Sequence, residues 1–227
     1  MGSGKNRKLS SSQIILLGFL GVIVVGTILL MLPWSRSGEG SAPFLDALFT
    51  ATSAVCVTGL VTNDTATYWS AFGQAVLLCL IQIGGLGGIT VAIFITRLSG
   101  RKIGLMQRST MQEAIAAPQM GGIVRLTGFI LKMVVIIELL GAAALLPSMI
   151  MEFGIGKGIW YAFFHSISSF CNAGFDLMGV KGKYSSLTSY TGNVPVNVVV
   201  MLLIVVGGIG FLTWDDIKRN KLHLRRY

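Results

Sequence analysis

Charge is scarce in this chain. Only 12% of its 227 residues are charged, nine of them acidic, against 53% that are apolar. So few charges exclude a soluble domain with a large core and point to a polytopic membrane protein. Cysteine and histidine are scarcer still, with three and two residues. Cys56, Cys79 and Cys171 have neither metal-ligand spacing nor the pattern of a disulfide framework. They read as small residues packed in apolar or loop segments. His165 has no second histidine and no acid at nucleophile–base or metal spacing on its face. Ser166, Ser168 and Ser169 therefore read as packing and hydrogen-bonding residues rather than nucleophiles. The chain is not expected to be an enzyme, and no bound cofactor is expected.

What the chain does have is long apolar runs, near Gln13–Pro33, Ala71–Leu98, Leu126–Met151 and Val194–Thr213. Each approaches the roughly 20 residues needed to cross a bilayer. The first is too long for a signal-peptide core, and no small-residue cleavage site follows it. Basic residues cluster before the first run (Lys5, Arg7, Lys8), between the second and third (Arg97 to Arg125) and after the fourth (Lys218 to Arg226). The positive-inside rule then places both termini and the central linker in the cytoplasm. The net charge of +9 is mostly topology, set at membrane edges, and nucleic acid is excluded as a partner. Membrane lipid is the expected surrounding.

Two stretches repeat each other. Phe44–Leu60 and Ile159–Phe175 are each a short apolar helix running into a small-residue loop that ends Cys-x-x-Gly-apolar. With Gly59 aligned on Gly174, Ala47 meets Ala162, Phe49 meets Phe164, Ser53 meets Ser168 and Cys56 meets Cys171. Leu32–Pro33 matches Leu146–Pro147 upstream, and Ile83–Gly87 matches Val206–Gly210 downstream, leaving the second outer loop eight residues longer. The expected fold class is an all-α membrane protein of two tandem helix–pore-loop–helix repeats. It has four transmembrane helices and two re-entrant pore helices, Phe44–Ser53 and Ile159–Ser169. The divisions are a basic cytoplasmic N-terminus (1–12), a first repeat (13–99), a cytoplasmic linker (100–124), a second repeat (125–214) and a basic cytoplasmic C-terminus (215–227). Within the linker, Leu105–Ala116 could lie along the membrane as a helix. Each repeat crosses twice, so the two copies are parallel, as suits a central pore.

The loops supply the chemistry. A dehydrated potassium ion needs oxygens in place of water, and rings of backbone carbonyls provide them. Such backbone is neither helical nor lipid-facing. Val57-Thr58-Gly59 and Asn172-Ala173-Gly174 have this character, because glycine permits the positive φ that turns successive carbonyls to one side. The two short helices would aim their C-terminal partial negative charge at the same point. Asp46 suits the positive end of its helix, whereas the second helix has Lys157 instead. Asp64 and Asp176 follow the loop glycines and either gather cations at the mouth or are ordinary solvated charge. Glu138 lies deep in the third run and should face protein with a partner. The glycines at 84–88 and 207–210 allow close helix packing or a bend.

Further matching stretches are Leu-Met-Leu-Pro (30–33), Asp-Ala-Leu-Phe-Thr-Ala (46–51), Val-Thr-Gly-Leu (57–60), Ile-Gln-Ile-Gly-Gly-Leu-Gly (81–87), Phe-His-Ser-Ile-Ser-Ser-Phe (164–170), Asn-Ala-Gly-Phe (172–175) and Gly-Gly-Ile-Gly-Phe (207–211). In combination they resemble the N-terminal half of the membrane subunit of the Trk/Ktr/HKT potassium-transporter superfamily, nearest the KtrB-like type. The resemblance implies potassium uptake across a bacterial plasma membrane through a filter of backbone carbonyls. Those carbonyls would belong to Cys56, Val57, Thr58, Gly59, Cys171, Asn172, Ala173 and Gly174, with Gly59 and Gly174 as the filter glycines. It associates glycine in the first loop with preference for K+ over Na+, leaves K+ as the transported ion, and admits Na+ as a modulator. It also implies a cytosolic nucleotide-binding regulatory subunit, KtrA/TrkA-like, as partner. The family has four repeats, and two are present here. Either two copies pair as a dimer, or the chain joins the missing C-terminal half. The alternative is a non-conducting truncated membrane assembly or regulatory subunit.

Overall fold

The computed structural model describes residues 10–87, 112–113 and 123–220, and the regular elements among those residues are helices, with one isolated bridge between Arg36 and Trp69 and no strand. Much of the central linker, including most of the segment at 105–116, lies outside the described residues. So do the first nine residues, the last seven, and positions 88–98 of the run that begins at Ala71.

Helix α1, Ser11–Leu30, starts at a capping box in which Ser10 and Gln13 satisfy each other's backbone amides. It ends three residues before Pro33, whose ring would block continuation. Helix α2, Phe44–Cys56, follows. Then come the four-residue α3, Thr65–Tyr68, capped by Asp64, and α4, Ala71–Leu86, capped by Ser70. α1, α2 and α4 pack mutually, so the first copy is a three-helix unit. Leu30, Ala47, Ala51, Leu77 and Ile81 have almost no solvent exposure.

Helix α5 runs from Ile123 to Phe170 with one break, at Gly154 (φ 76°, ψ 172°). There the chain folds back. A Cβ on Gly158 would sit 2.7 Å from the Cα of Ile150 and 2.8 Å from the carbonyl oxygen of Met149, an approach that an unbroken helix rules out. The expected boundary between span and short helix is thus one glycine, and helix continues to within a few residues of it on both sides. Two short 3-10 turns, Met178–Val180 and Ser186–Tyr190, lead to α6, Val194–Gly208. The fourth run does not continue unbroken to Thr213. Gly210 (φ 93°) interrupts it, and α7, Phe211–Asn220, begins afresh. α2 also runs three residues past its expected end, to Cys56.

Among the described residues, two helices are long and apolar enough to cross a bilayer, Ser12–Leu30 and the α5 segment from Val124. Only 17% and 33% of their apolar windows are buried within the chain. A core helix of a soluble protein would be mostly covered. Leu16, Leu17, Leu20, Val24, Val25 and Ile28 all face outward, where lipid or further protein must cover them.

The leading glycines of each cluster pack against the other elements, whereas Gly87 and Gly210 end or interrupt their helices at positive φ. A Cβ on Gly84 would lie 2.3 Å from the Val55 carbonyl oxygen, and one on Gly207 would lie 1.8 Å from the Phe170 carbonyl oxygen. Val55 and Phe170 are equivalent positions of the two copies. Each copy thus presses the last turn of its short helix onto a glycine of the following long helix. Gly84→Ala and Gly207→Ala are each expected to cost at least about 1–3 kcal/mol, because the obstructing atom is backbone. Thermal unfolding in detergent should show both variants melting several degrees below the parent.

Candidate functional site

At the end of α2, Val57 adopts a left-handed conformation (φ 57°, ψ 42°), and Gly59 follows at φ 71°. In the second copy Asn172 has φ 57° and Gly174 φ 73°. A non-glycine residue in this region is uncommon, and asparagine tolerates it better than valine. The hydrogen bonds repeat as well. The Thr58 amide donates to Ser53 O at 3.0 Å and the Ala173 amide to Ser168 O at 2.8 Å. The amides of Val57 and Asn172 donate to Ala54 O and Ser169 O. Both helices therefore close with the left-handed turn that satisfies their terminal carbonyls.

The two loops meet. A Cβ on Gly59 would be 2.7 Å from Ala173 O and 3.3 Å from the Cα of Gly174. Reciprocally, a Cβ on Gly174 would be 3.4 Å from the Cα of Gly59. Of the eight residues predicted from sequence, the two glycines and Ala173 meet across the copies at the loops, and Cys171 packs against the first copy at Gly85. Cys56 closes helix α2 and is exposed, whereas Cys171 is buried beneath the second loop, against Gly85. Thr58 and Asn172 have exposed side chains. Thr58 Oγ1 is 2.8 Å from Ser53 Oγ, and Asn172 Nδ2 donates to Ile204 O at 3.3 Å. Both short helices end within four residues of the glycines at which the loops meet.

Three buried polar side chains brace this arrangement. His165 Nε2 accepts the Leu177 amide at 3.2 Å, so its proton sits on Nδ1, which is 2.7 Å from Tyr161 O. A neutral imidazole with both nitrogens engaged is a strut between the second short helix and the segment after Gly174. Ser168 Oγ donates to Phe175 O at 2.5 Å. Glu138 is 7% exposed and accepts from Gln82 Nε2 at 2.8 Å, while its backbone carbonyl accepts from Ser166 Oγ. It thus faces protein and ties α5 to α4, as its depth in an apolar helix requires. Trp160 Nε1 donates to Gln74 Oε1 at 2.8 Å, a second tie between the copies. The roles of His165 and Gln82 were not apparent from the sequence. The spacing of His165 to Leu177 offers no signal, and Gln82 lies in an otherwise apolar run.

The family model for TrkH, cation transport protein, matches residues 7–223. The chain belongs to this family. The chain is 48% identical to the potassium/sodium uptake protein NtpJ of Enterococcus hirae, over 93% of this chain and 46% of that protein. Against the Ktr system potassium uptake protein B of Bacillus subtilis it is 42% identical, over 92% and 45%. Against the protein of the same description from Vibrio alginolyticus it is 36% identical, over 96% and 47%. The chain therefore spans about half the length of the curated relatives it matches.

The acids near the loops are not freely solvated. Asp64 is 7% exposed. Asp176 is half-buried and accepts the Met178 amide at 2.8 Å. Burial raises the Asp176 carboxyl above its ordinary 3.8, the Met178 bond opposes this, and the nearby Asp64 charge adds to it. A raised acid favours the folded state when protonated. Its contribution to stability is fullest below pH 3.8 and is lost as the pH rises through the folded value. Asp176→Asn should flatten that decline without lowering stability at neutral pH, as read from melting temperatures across a pH series.

Proposed function

We propose that the chain provides part of the wall of a potassium uptake pore in a bacterial plasma membrane. Its two copies act as helix–pore-loop–helix units whose loop carbonyls replace the water around K+. The observation that carries this reading is the meeting of Gly59 and Gly174 at the ends of two equivalent helices, each with the same left-handed turn and the same hydrogen bonds. Carbonyls of residues 56–59 and 171–174 are the coordinating groups, and no side-chain carboxylate is needed.

Two loops do not surround an ion. Leu60, next to Gly59, is 60% exposed, whereas the equivalent Phe175 is 2% exposed. The first loop is thus open on a flank where the second is covered. That asymmetry favours further loop units beside the first copy, supplied by a second copy of the chain or by a C-terminal half. The relatives' extra length is consistent with the latter. By the same family relation, a KtrA/TrkA-like nucleotide-binding subunit on the cytoplasmic face sets opening, and both termini face that side.

Uptake in cells without their own potassium transport tests the reading, with the chain expressed alone and together with the C-terminal half of a relative. At least one arrangement should restore growth at low potassium. Gly59→Ser places a side chain where a Cβ would lie only 2.7 Å from Ala173 O. A perturbation of about 1–3 kcal/mol should reduce the preference for K+ over Na+ by about ten- to hundredfold. Absence of flux in both arrangements, with the chain folded in the membrane, would sink the reading in favour of a non-conducting subunit.

A further inference from the structure

The second outer segment, between Gly174 and Val194, is eight residues longer than the first, between Gly59 and Ala71. The structure shows where the added length goes. The segment is held to its own copy at both ends. Leu177 is bonded to His165, and Lys181 pairs with Glu152 and lies 4.2 Å from the centre of the Tyr190 ring. Its middle reaches the first copy. The Tyr184 amide donates to Asp64 Oδ2 at 2.9 Å, and Tyr184 Oη donates to Thr62 O at 3.1 Å. Tyr184 makes this reach at φ 60°, a conformation seldom adopted by bulky residues.

Asp64 is central to this junction. Its Oδ1 accepts the Thr67 amide at 3.0 Å and the Thr67 hydroxyl at 2.9 Å, which fixes α3. With Oδ2 taken by Tyr184, the carboxylate has three neutral donors, and no described basic side chain pairs with it. It also occupies the space above Gly179. A Cβ on that glycine would lie 2.0 Å from Oδ1 and 2.1 Å from Oδ2. Asp64 and Gly179 each stand five residues beyond the loop glycine of their copy. The positions matched by the repeat therefore meet twice, glycine against glycine at the loops and acid against glycine just beyond them.

We propose that Asp64 is a positioning residue for the two glycine loops. By holding the Tyr184 amide and fitting over Gly179, it fixes the separation of the loops at Gly59 and Gly174, and thereby which alkali cation the opening accepts. The part concerning ions rests on the function proposed above. The latch itself does not.

Asp64→Asn separates the two roles. The amide oxygen can keep both Thr67 bonds, but the group facing the Tyr184 amide becomes a donor. Gly179→Ala forces the same contact apart while leaving the charge in place. Hydrogen exchange of the chain in lipid nanodiscs should show the Tyr184 amide losing about ten- to hundredfold protection in both variants, as expected for a bond to a charged acceptor. The Thr58 and Ala173 amides should exchange faster too, with Thr67 retained in Asp64→Asn. If Asp64→Asn unfolds throughout, seen as lost protection in α1, Gly179→Ala decides alone. Unchanged exchange at Thr58 and Ala173 overturns the latch. In uptake assays the ratio of K+ to Na+ influx should fall with both variants. A ratio that holds while the loops loosen overturns the selectivity role. A parent chain that passes no ions in either arrangement tells against the proposed pore and leaves the exchange result to judge the latch.

Discussion

The arrangement depends on backbone approaching backbone without a side chain between. Gly59 meets Ala173 and Gly174 at distances that any Cβ on Gly59 would violate. Val55 O meets Gly84, and Phe170 O meets Gly207, more closely still. Four glycines thus let two helix ends reach the same point and hold them there from behind. Close approach of this kind is how helices associate where lipid gives no hydrophobic drive between them.

The two copies share this frame and differ in how it is braced. The first loop is tied by hydroxyls, Ser53 to Thr58. The second is tied by Ser168 to Phe175 O, by His165 to the Leu177 amide and by Asn172 to Ile204 O. Its longer outer segment is anchored at Glu152 and reaches back to Asp64. Cys56 is exposed and Cys171 buried at equivalent positions. One backbone geometry thus tolerates different side-chain surroundings, because the turn is set by φ and by backbone hydrogen bonds. A pair of copies that differ in bracing has a covered side and an open side, and the open side is where Leu60, Phe49 and Leu45 are exposed.

Among the described residues, side-chain hydrogen bonds between the copies add to the close approaches at the loops and at Gly85. Gln82 reaches Glu138, Gln74 accepts from Trp160, and Asp64 accepts from Tyr184. Each replaces water for a group that burial would otherwise leave unpaired at a cost of about 1–3 kcal/mol. Such bonds specify register, since an apolar surface alone would allow one copy to slide against the other.

The amino-acid order by itself determined the helical class, the apolar runs, the position of both loops and the need for positive φ at Gly59 and Gly174. Each of these is local, set by apolar run length, by glycine and by a repeat that shows at a fixed offset. It also indicated that Glu138 must find a partner, because a deep carboxylate in an apolar helix has no alternative. It did not show that Gln82 is that partner, that His165 is a strut, or that Asp64 is enclosed rather than solvated. It also placed the end of α2 three residues early and ran the fourth span through Gly210. Those outcomes depend on which residues distant in sequence are brought together, and on whether a helix end is sealed by its neighbours. Only the packed chain decides that, because a hydrogen bond between Asp64 and a residue 120 positions away has no periodicity to betray it.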